Sequence, residues 1–138
     1  MKTIIALWGN ADCGKTSSII WTYNKLFYPE SLPLGEDFFK IRDKNPYGKI
    51  GFSSLGDPGY PAHYDNLESM VKANCDIILT ACRTRGTTVD NITSLAQQYG
   101  YRVIWMSPFS IAGGANYDVL NSMTAEAIIS VLNNINSI

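Results

Sequence analysis

A chain of 138 residues has room for one domain of common size and a hydrophobic core, and not for two ordinary domains. Apolar residues make up 46% and charged residues 17%, a globular composition that excludes a disordered chain. The formal net charge of −1 argues against a strongly basic nucleic-acid module and against a polybasic membrane binder.

In chain order, Lys2 to Trp8 is a short apolar run rich in β-branched residues and reads as a buried strand. Its apolar stretch, Thr3 to Trp8, is shorter than a secretion-signal core and runs straight into a glycine loop. Gly9 to Gly14 is that loop. Lys15 to about Phe27 reads as a helix, with Ile19, Ile20, Tyr23, Leu26 and Phe27 at helical spacing and Pro29 as its stop. Residues 29–36 form an irregular loop. Asp37 to Arg42 and Ile50 to Leu55 read as two strands, separated by a turn over Asp43 to Gly48, so that 37–55 is a hairpin.

Ala62 to Ala73 carries Leu67, Met70 and Val71 on one helical face. Asp76 to Cys82 is an apolar strand. Thr88 is the expected N-cap of a helix bearing Val89, Ile92, Leu95, Ala96 and Tyr99, and Gly100 is its expected stop. Tyr101 to Ser107 is a further strand, and 108–117 is a Gly/Ser/Pro-rich connector. Val119 to about Ile135 closes the chain as a helix whose apolar face holds Leu120, Met123, Ala127, Ile128, Val131, Leu132 and Ile135. There is no apolar run of the ~18 residues that a membrane span needs. Cys13, Cys75 and Cys82 are odd in number and lack metal-ligand spacing, so a reduced, cytoplasmic setting is expected.

Strands alternating with helices imply an α/β domain with a mostly parallel sheet covered on both sides. Right-handed crossovers collect the strand-to-helix loops on one edge, where ligands of such sheets bind. That edge would gather Gly9–Thr16, Gly56–Tyr60, Arg83–Thr88 and Pro108–Asn116.

The first of these loops carries the chemistry. Gly9-Asn10-Ala11-Asp12-Cys13-Gly14-Lys15-Thr16 fits G-x-x-x-x-G-K-[ST] in full, between a predicted strand and a predicted helix. Chance supplies well below ~0.05 such matches in a chain of this length. Glycines let the backbone N–H groups turn inward as an anion nest, and the helix N-terminus adds its positive end. Lys15 would reach the β- and γ-phosphates, and the Thr16 hydroxyl would hold a bridging Mg²⁺. Phosphate binding would extend over Gly9, Asn10, Ala11, Asp12, Cys13, Gly14, Lys15, Thr16 and Ser17, with the Asp12 side chain pointing outward. Cys13 lies beside Lys15 and a helix start, where a thiol can become reactive, but a redox role is the weaker reading.

On these residues the chain resembles the P-loop NTPases of the Walker A type, in a layout closest to their small kinase and GTPase branch. The resemblance implies a three-layer α/β/α sandwich, ATP or another nucleoside triphosphate as ligand, and Mg²⁺. Such a site needs a carboxylate at a strand tip for the magnesium shell, and Asp57, after the strand Ile50–Leu55, is the best candidate. Asp57-Pro58-Gly59 is one residue short of the D-x-x-G of GTPases, and Gly56 interrupts the apolar run before it. Asp76 competes but falls at the start of its strand, at the wrong edge. Arg83 and Arg85 follow the strand Ile77–Cys82 and would stabilise charge on a transferred phosphoryl group.

Other features carry less. No N-K-x-D follows the strand Tyr101–Ser107, which disfavours a guanine-specific GTPase. Asn116 reads as part of a connector rather than a base contact. His63, the lone histidine, reads as a surface residue near a helix start rather than a general base. Trp8, Trp21 and Trp105 read as core residues. The function expected is Mg²⁺-dependent binding of a nucleoside triphosphate, with hydrolysis or transfer to a small-molecule acceptor, and with Lys15, Asp57, Arg83 and Arg85 in the catalytic work. The alternatives are a small nucleotide or metabolite kinase and a GTPase-like switch that acts through a protein partner. No nucleic-acid or membrane partner is expected.

Overall fold

The computed structural model describes residues 2–10, 13–27, 39–56, 61–111 and 116–138. The described elements, in order, are β1 (Thr3–Trp8), α1 (Lys15–Leu26), β2 (Phe39–Asn45), β3 (Gly48–Ser53), α2 (Pro61–Lys72), β4 (Ile77–Cys82), α3 (Thr87–Tyr99), β5 (Arg102–Met106) and α4 (Tyr117–Asn133). A short 3-10 turn, Ile135–Ser137, follows α4.

The five strands form one sheet in the order β2-β3-β4-β1-β5. β1 pairs in parallel with β4 and with β5, and β4 pairs in parallel with β3. β2 runs antiparallel to β3, which makes the expected hairpin, with a shift of register between Arg42 and Asn45. β4 is buried along its whole length, as its unbroken apolar run requires of a strand packed on both faces.

Alternation along the strands divides the core in two. Ile4, Ala6, Ile78 and Cys82 pack with Leu67, Met70 and Val71 of α2 and with Ile92, Leu95 and Ala96 of α3. Ile5, Leu7, Ile50, Phe52, Ile77 and Leu79 pack with Ile19 and Tyr23 of α1 and with Ile128 and Leu132 of α4. The molecule is thus α/β, with a mostly parallel sheet and a helix pair over each face. Each fully buried Ile, Leu or Phe of these layers contributes about 1.5–3 kcal/mol by leaving water. In the second layer Phe52 meets Tyr23 edge-on, with ring centroids 5.1 Å apart.

Several expectations shift. α3 is capped by Gly86, not Thr88; Thr88 lies inside the helix, and its hydroxyl accepts the Arg83 backbone N–H at 2.9 Å. Asn116 is a cap: its Oδ1 accepts the Val119 N–H at 3.3 Å and starts α4. The tryptophans are not core. Trp8 is 37% exposed and Trp105 41%, because both stand near strand ends; Trp21 is half-buried. Met123 is exposed as well, on the solvent side of α4.

Candidate functional site

The parallel strands β1, β3 and β4 deliver their C-terminal ends to one edge, and the glycine loop leaves from β1 at the centre of that edge. The Gly9 N–H donates to the Cys82 carbonyl at 3.2 Å, so the first loop residue still follows the end of β4. Gly14 precedes α1 with φ +90° and ψ 15°, a left-handed conformation that a β-carbon makes costly. The chain therefore turns sharply into α1, whose first turn holds no acidic side chain and receives no side-chain cap.

Lys15 is the first residue of α1, yet it is only 7% exposed. Its ammonium donates to the Gly9 carbonyl at 2.7 Å and to the Cys82 carbonyl at 2.9 Å. The lysine thus folds over the mouth of the loop, between the ends of β1 and β4. Thr16 faces a different element. Its hydroxyl donates to the Ser54 carbonyl at 3.2 Å, just past the end of β3.

β4 stands between β1 and β3, so the chain leaving β3 must pass over the tip of β4 to approach the loop. Gly56 makes that passage. A β-carbon there would lie 2.8 Å from the Ala81 Cβ and 3.2 Å from the Cys82 backbone nitrogen. The glycine that interrupts the apolar run before Asp57 therefore answers a close backbone approach. Asp57 itself lies outside the described residues, as do Ala11 and Asp12 of the loop.

The other predicted residues fall as follows. Asn10 is exposed, and Ser17 is half-buried in the first turn of α1. Cys13 leans over Gly9: its Sγ lies 2.6 Å from the position a β-carbon on Gly9 would take. Arg83 is half-buried and Arg85 exposed, on the turn from β4 into α3 at the same edge. Asp76 is at the opposite edge, where its carboxylate accepts the Lys49 N–H at 2.9 Å.

Three residues that sequence reasoning passed over or misplaced shape the site. His63 is 1% exposed rather than on the surface. Its Nε2 lies 2.9 Å from the Ala81 carbonyl, and its Nδ1 lies 3.0 Å from the Asn91 amide nitrogen. A carbonyl must accept and an amide nitrogen must donate, so the ring is neutral with its proton on Nε2. Burial holds its pKa below the ordinary value, the Ala81 carbonyl opposes that shift, and the Lys15 charge adds to it. With both nitrogens engaged, His63 ties α2 and α3 to the tip of β4 and has no free position for a general base. The Cys82 thiol is pushed up to about 11 by burial, against the pull of Lys15, and stays protonated.

The third residue is Asn121 of α4, 7% exposed, whose Oδ1 accepts the Ser18 hydroxyl at 3.4 Å. The same oxygen lies 2.7 Å from where a β-carbon on Gly14 would stand. The sequence signal was a polar break in the buried face of α4, where Asn121 and Thr124 sit among Leu120, Ala125 and Ile128.

Among the described residues no group of three or more His, Cys, Asp or Glu could hold a metal ion. Magnesium does not need one. It is commonly held by one or two protein oxygens together with substrate phosphates. The Thr16 hydroxyl, fixed by Ser54, fits that role. Among the described residues no helix is long and apolar enough to cross a membrane. The chain matches no protein-family model, and no curated protein sequence matches it.

Proposed function

We propose that the chain binds the triphosphate of a nucleotide, ATP or another NTP, at the α1 N-terminus with Mg²⁺, and hydrolyses it or transfers its γ-phosphoryl group. The observation that carries this reading is the pairing of Lys15 and Thr16. The motif predicts that these two side chains share one polyphosphate, and they lie at one sheet edge, with the ammonium at Gly9 and Cys82 and the hydroxyl at Ser54.

Phosphate oxygens would replace the two carbonyls as acceptors for Lys15, gaining charge-assisted hydrogen bonds in a buried setting. Backbone N–H groups of the first turn of α1 would add to them. Mg²⁺, held by Thr16 and a carboxylate for which Asp57 is the candidate, would neutralise charge on the β- and γ-oxygens. Arg83 and Arg85 stand on the neighbouring turn, suited to the charge that grows on a phosphoryl group in transfer. Catalysis on this reading is positioning and electrostatics, with Lys15 as its principal charge. A cytoplasmic setting, where nucleoside triphosphates and Mg²⁺ are at hand, belongs to the same reading.

A second reading, a nucleotide-responsive switch, is favoured by the Thr16–Ser54 bond. That bond links the triphosphate end of the site to the β2–β3 hairpin, so a change at the γ-phosphate would reach the hairpin surface and a protein partner there. The deciding experiment is a turnover assay with γ-labelled ATP and GTP in Mg²⁺, with and without small-molecule acceptors. Release or transfer of label that disappears in Lys15→Ala supports the enzyme. Lys15-dependent binding without turnover supports the switch. Neither binding nor turnover sinks both.

A further inference from the structure

We propose that β5 is an interface strand, on which a second copy of this chain pairs antiparallel about a two-fold axis through Ile104. Among the described residues the sheet ends on β2 at one side and on β5 at the other. Only one of these edges is protected. β2 carries Lys40, Arg42, Asp43 and Lys44 along its length, with a shift of register between Arg42 and Asn45. Charge and irregularity of this kind keep an edge strand from pairing with its own copy. β5 is apolar after its first residue. That residue does not guard the edge, because the Arg102 guanidinium donates to the Thr3 hydroxyl at 2.8 Å and to the carbonyls of Ile135 and Ile138.

The backbone supplies the register. The Arg102 N–H donates to the Lys2 carbonyl at 3.1 Å, and β5 keeps unbroken parallel register with β1 from Arg102 to Met106. Successive residues of a strand turn their N–H and C=O groups to opposite sides. Arg102, Ile104 and Met106 therefore address β1, and Val103 and Trp105 turn theirs outward. These two flank Ile104, so an antiparallel copy sets Val103 opposite Trp105 of the second copy, and the reverse. Each pair exchanges two backbone hydrogen bonds. Val103 and Trp105 share one face of the sheet, which lays each indole, 41% exposed in the single chain, beside the valine across the seam. The match brings no like charges together, whereas two β2 edges would oppose Lys40, Arg42 and Lys44 of each copy.

The apolar surface continues past the strand with Phe109 and Ile111, 49% and 59% exposed. An interface on the order of 500 Å² per copy is at the small end for a specific complex, which sets a reversible dimer with a Kd of about 10–100 μM. The two-fold axis uses up β5 of both copies and leaves a charged β2 at each outer end, so assembly closes at two.

The test is sedimentation of the full chain from about 5 μM to about 1 mM, with amide hydrogen exchange at both ends of that range. Wild type should pass from monomer to dimer, and the Val103 and Trp105 N–H groups should gain protection at the high concentration. Trp105→Lys, which sets a cation in each pair, should stay monomeric throughout. Phe39→Lys, at an exposed position on the β2 edge, should dimerise as wild type does. A wild type that is monomeric at 1 mM would overturn the proposal. So would a dimer that survives Trp105→Lys, a dimer that leaves Val103 and Trp105 exchange unchanged, or growth beyond two copies. Should Trp105→Lys fail to fold, the exchange of the two amides in wild type decides alone.

Discussion

Two helices leave this sheet edge from hydrogen-bonded neighbours, α1 from β1 and α3 from β4, and they begin in opposite ways. Each is entered through a glycine at positive φ, +90° at Gly14 and +91° at Gly86. α3 then settles its own start. Asp90 stands in its first turn, and Thr88 folds back to accept the Arg83 N–H. Neither helix start receives a side-chain cap, but α1 has no acid in its first turn and places a buried cation, Lys15, there instead. The positive end of α3 is compensated from within. That of α1 is reinforced by Lys15, and a bound polyanion would satisfy both. On the nucleotide reading proposed above, the difference separates a helix start that stabilises the fold from one that would take a ligand.

The largest expected effect is at Lys15. Lys15→Ala should cost about a hundredfold or more in affinity for Mg²⁺–ATP or Mg²⁺–GTP, since it removes charge-assisted hydrogen bonds in a buried place. Arg85→Ala, an exposed change on the α3 side, should leave ligand affinity within about threefold while lowering turnover, which sets binding apart from charge stabilisation in transfer.

The paired glycines sharpen the contrast. Gly14→Ala and Gly86→Ala should each lower unfolding stability by about 1–3 kcal/mol, from backbone strain. Only Gly14→Ala should also lose ligand, because its methyl would meet the Asn121 Oδ1 at 2.7 Å, whereas at Gly86 a β-carbon meets nothing within 4 Å. Chemical denaturation and calorimetry on the two variants read both halves. Smaller still, Asp90→Asn should destabilise by about 0.3–1 kcal/mol through the α3 dipole and leave binding alone.

Acid should act through the side of the molecule that anchors α3. His63 is neutral when folded, with a pKa below its ordinary value. The unfolded chain takes a proton as pH falls below about 6.5, while the folded chain resists it. The His63 contribution to stability is therefore full above that value and is lost as pH falls toward the folded pKa. A melting temperature that declines between pH 7 and pH 5, and declines less in His63→Gln, is the expected record.

The pattern of strands and helices was legible because it depends on local periodicity. The run Ile77–Cys82 and the spacing of Ile92, Leu95 and Ala96 leave little choice of element. The turn into α1 was legible too, since Gly14 enters the helix at positive φ and Lys15 is its first residue. What escaped was set by contacts distant in sequence. His63 is drawn inside by Ala81 and Asn91, and Asn121 meets a glycine more than a hundred residues earlier. The tryptophans misled for a related reason. Their type argues for burial, but positions near the strand ends leave Trp8 and Trp105 in part to solvent.

The central claim is that the anion site is the start of α1 and not the start of α3. Amide resonances followed during a titration with Mg²⁺–ATP test it most directly. The account predicts large, saturable shifts at Lys15, Thr16 and Ser17, absent in Lys15→Ala, with Thr87, Thr88 and Val89 nearly still. Shifts centred on Thr87–Val89, or none at either helix start, would contradict it.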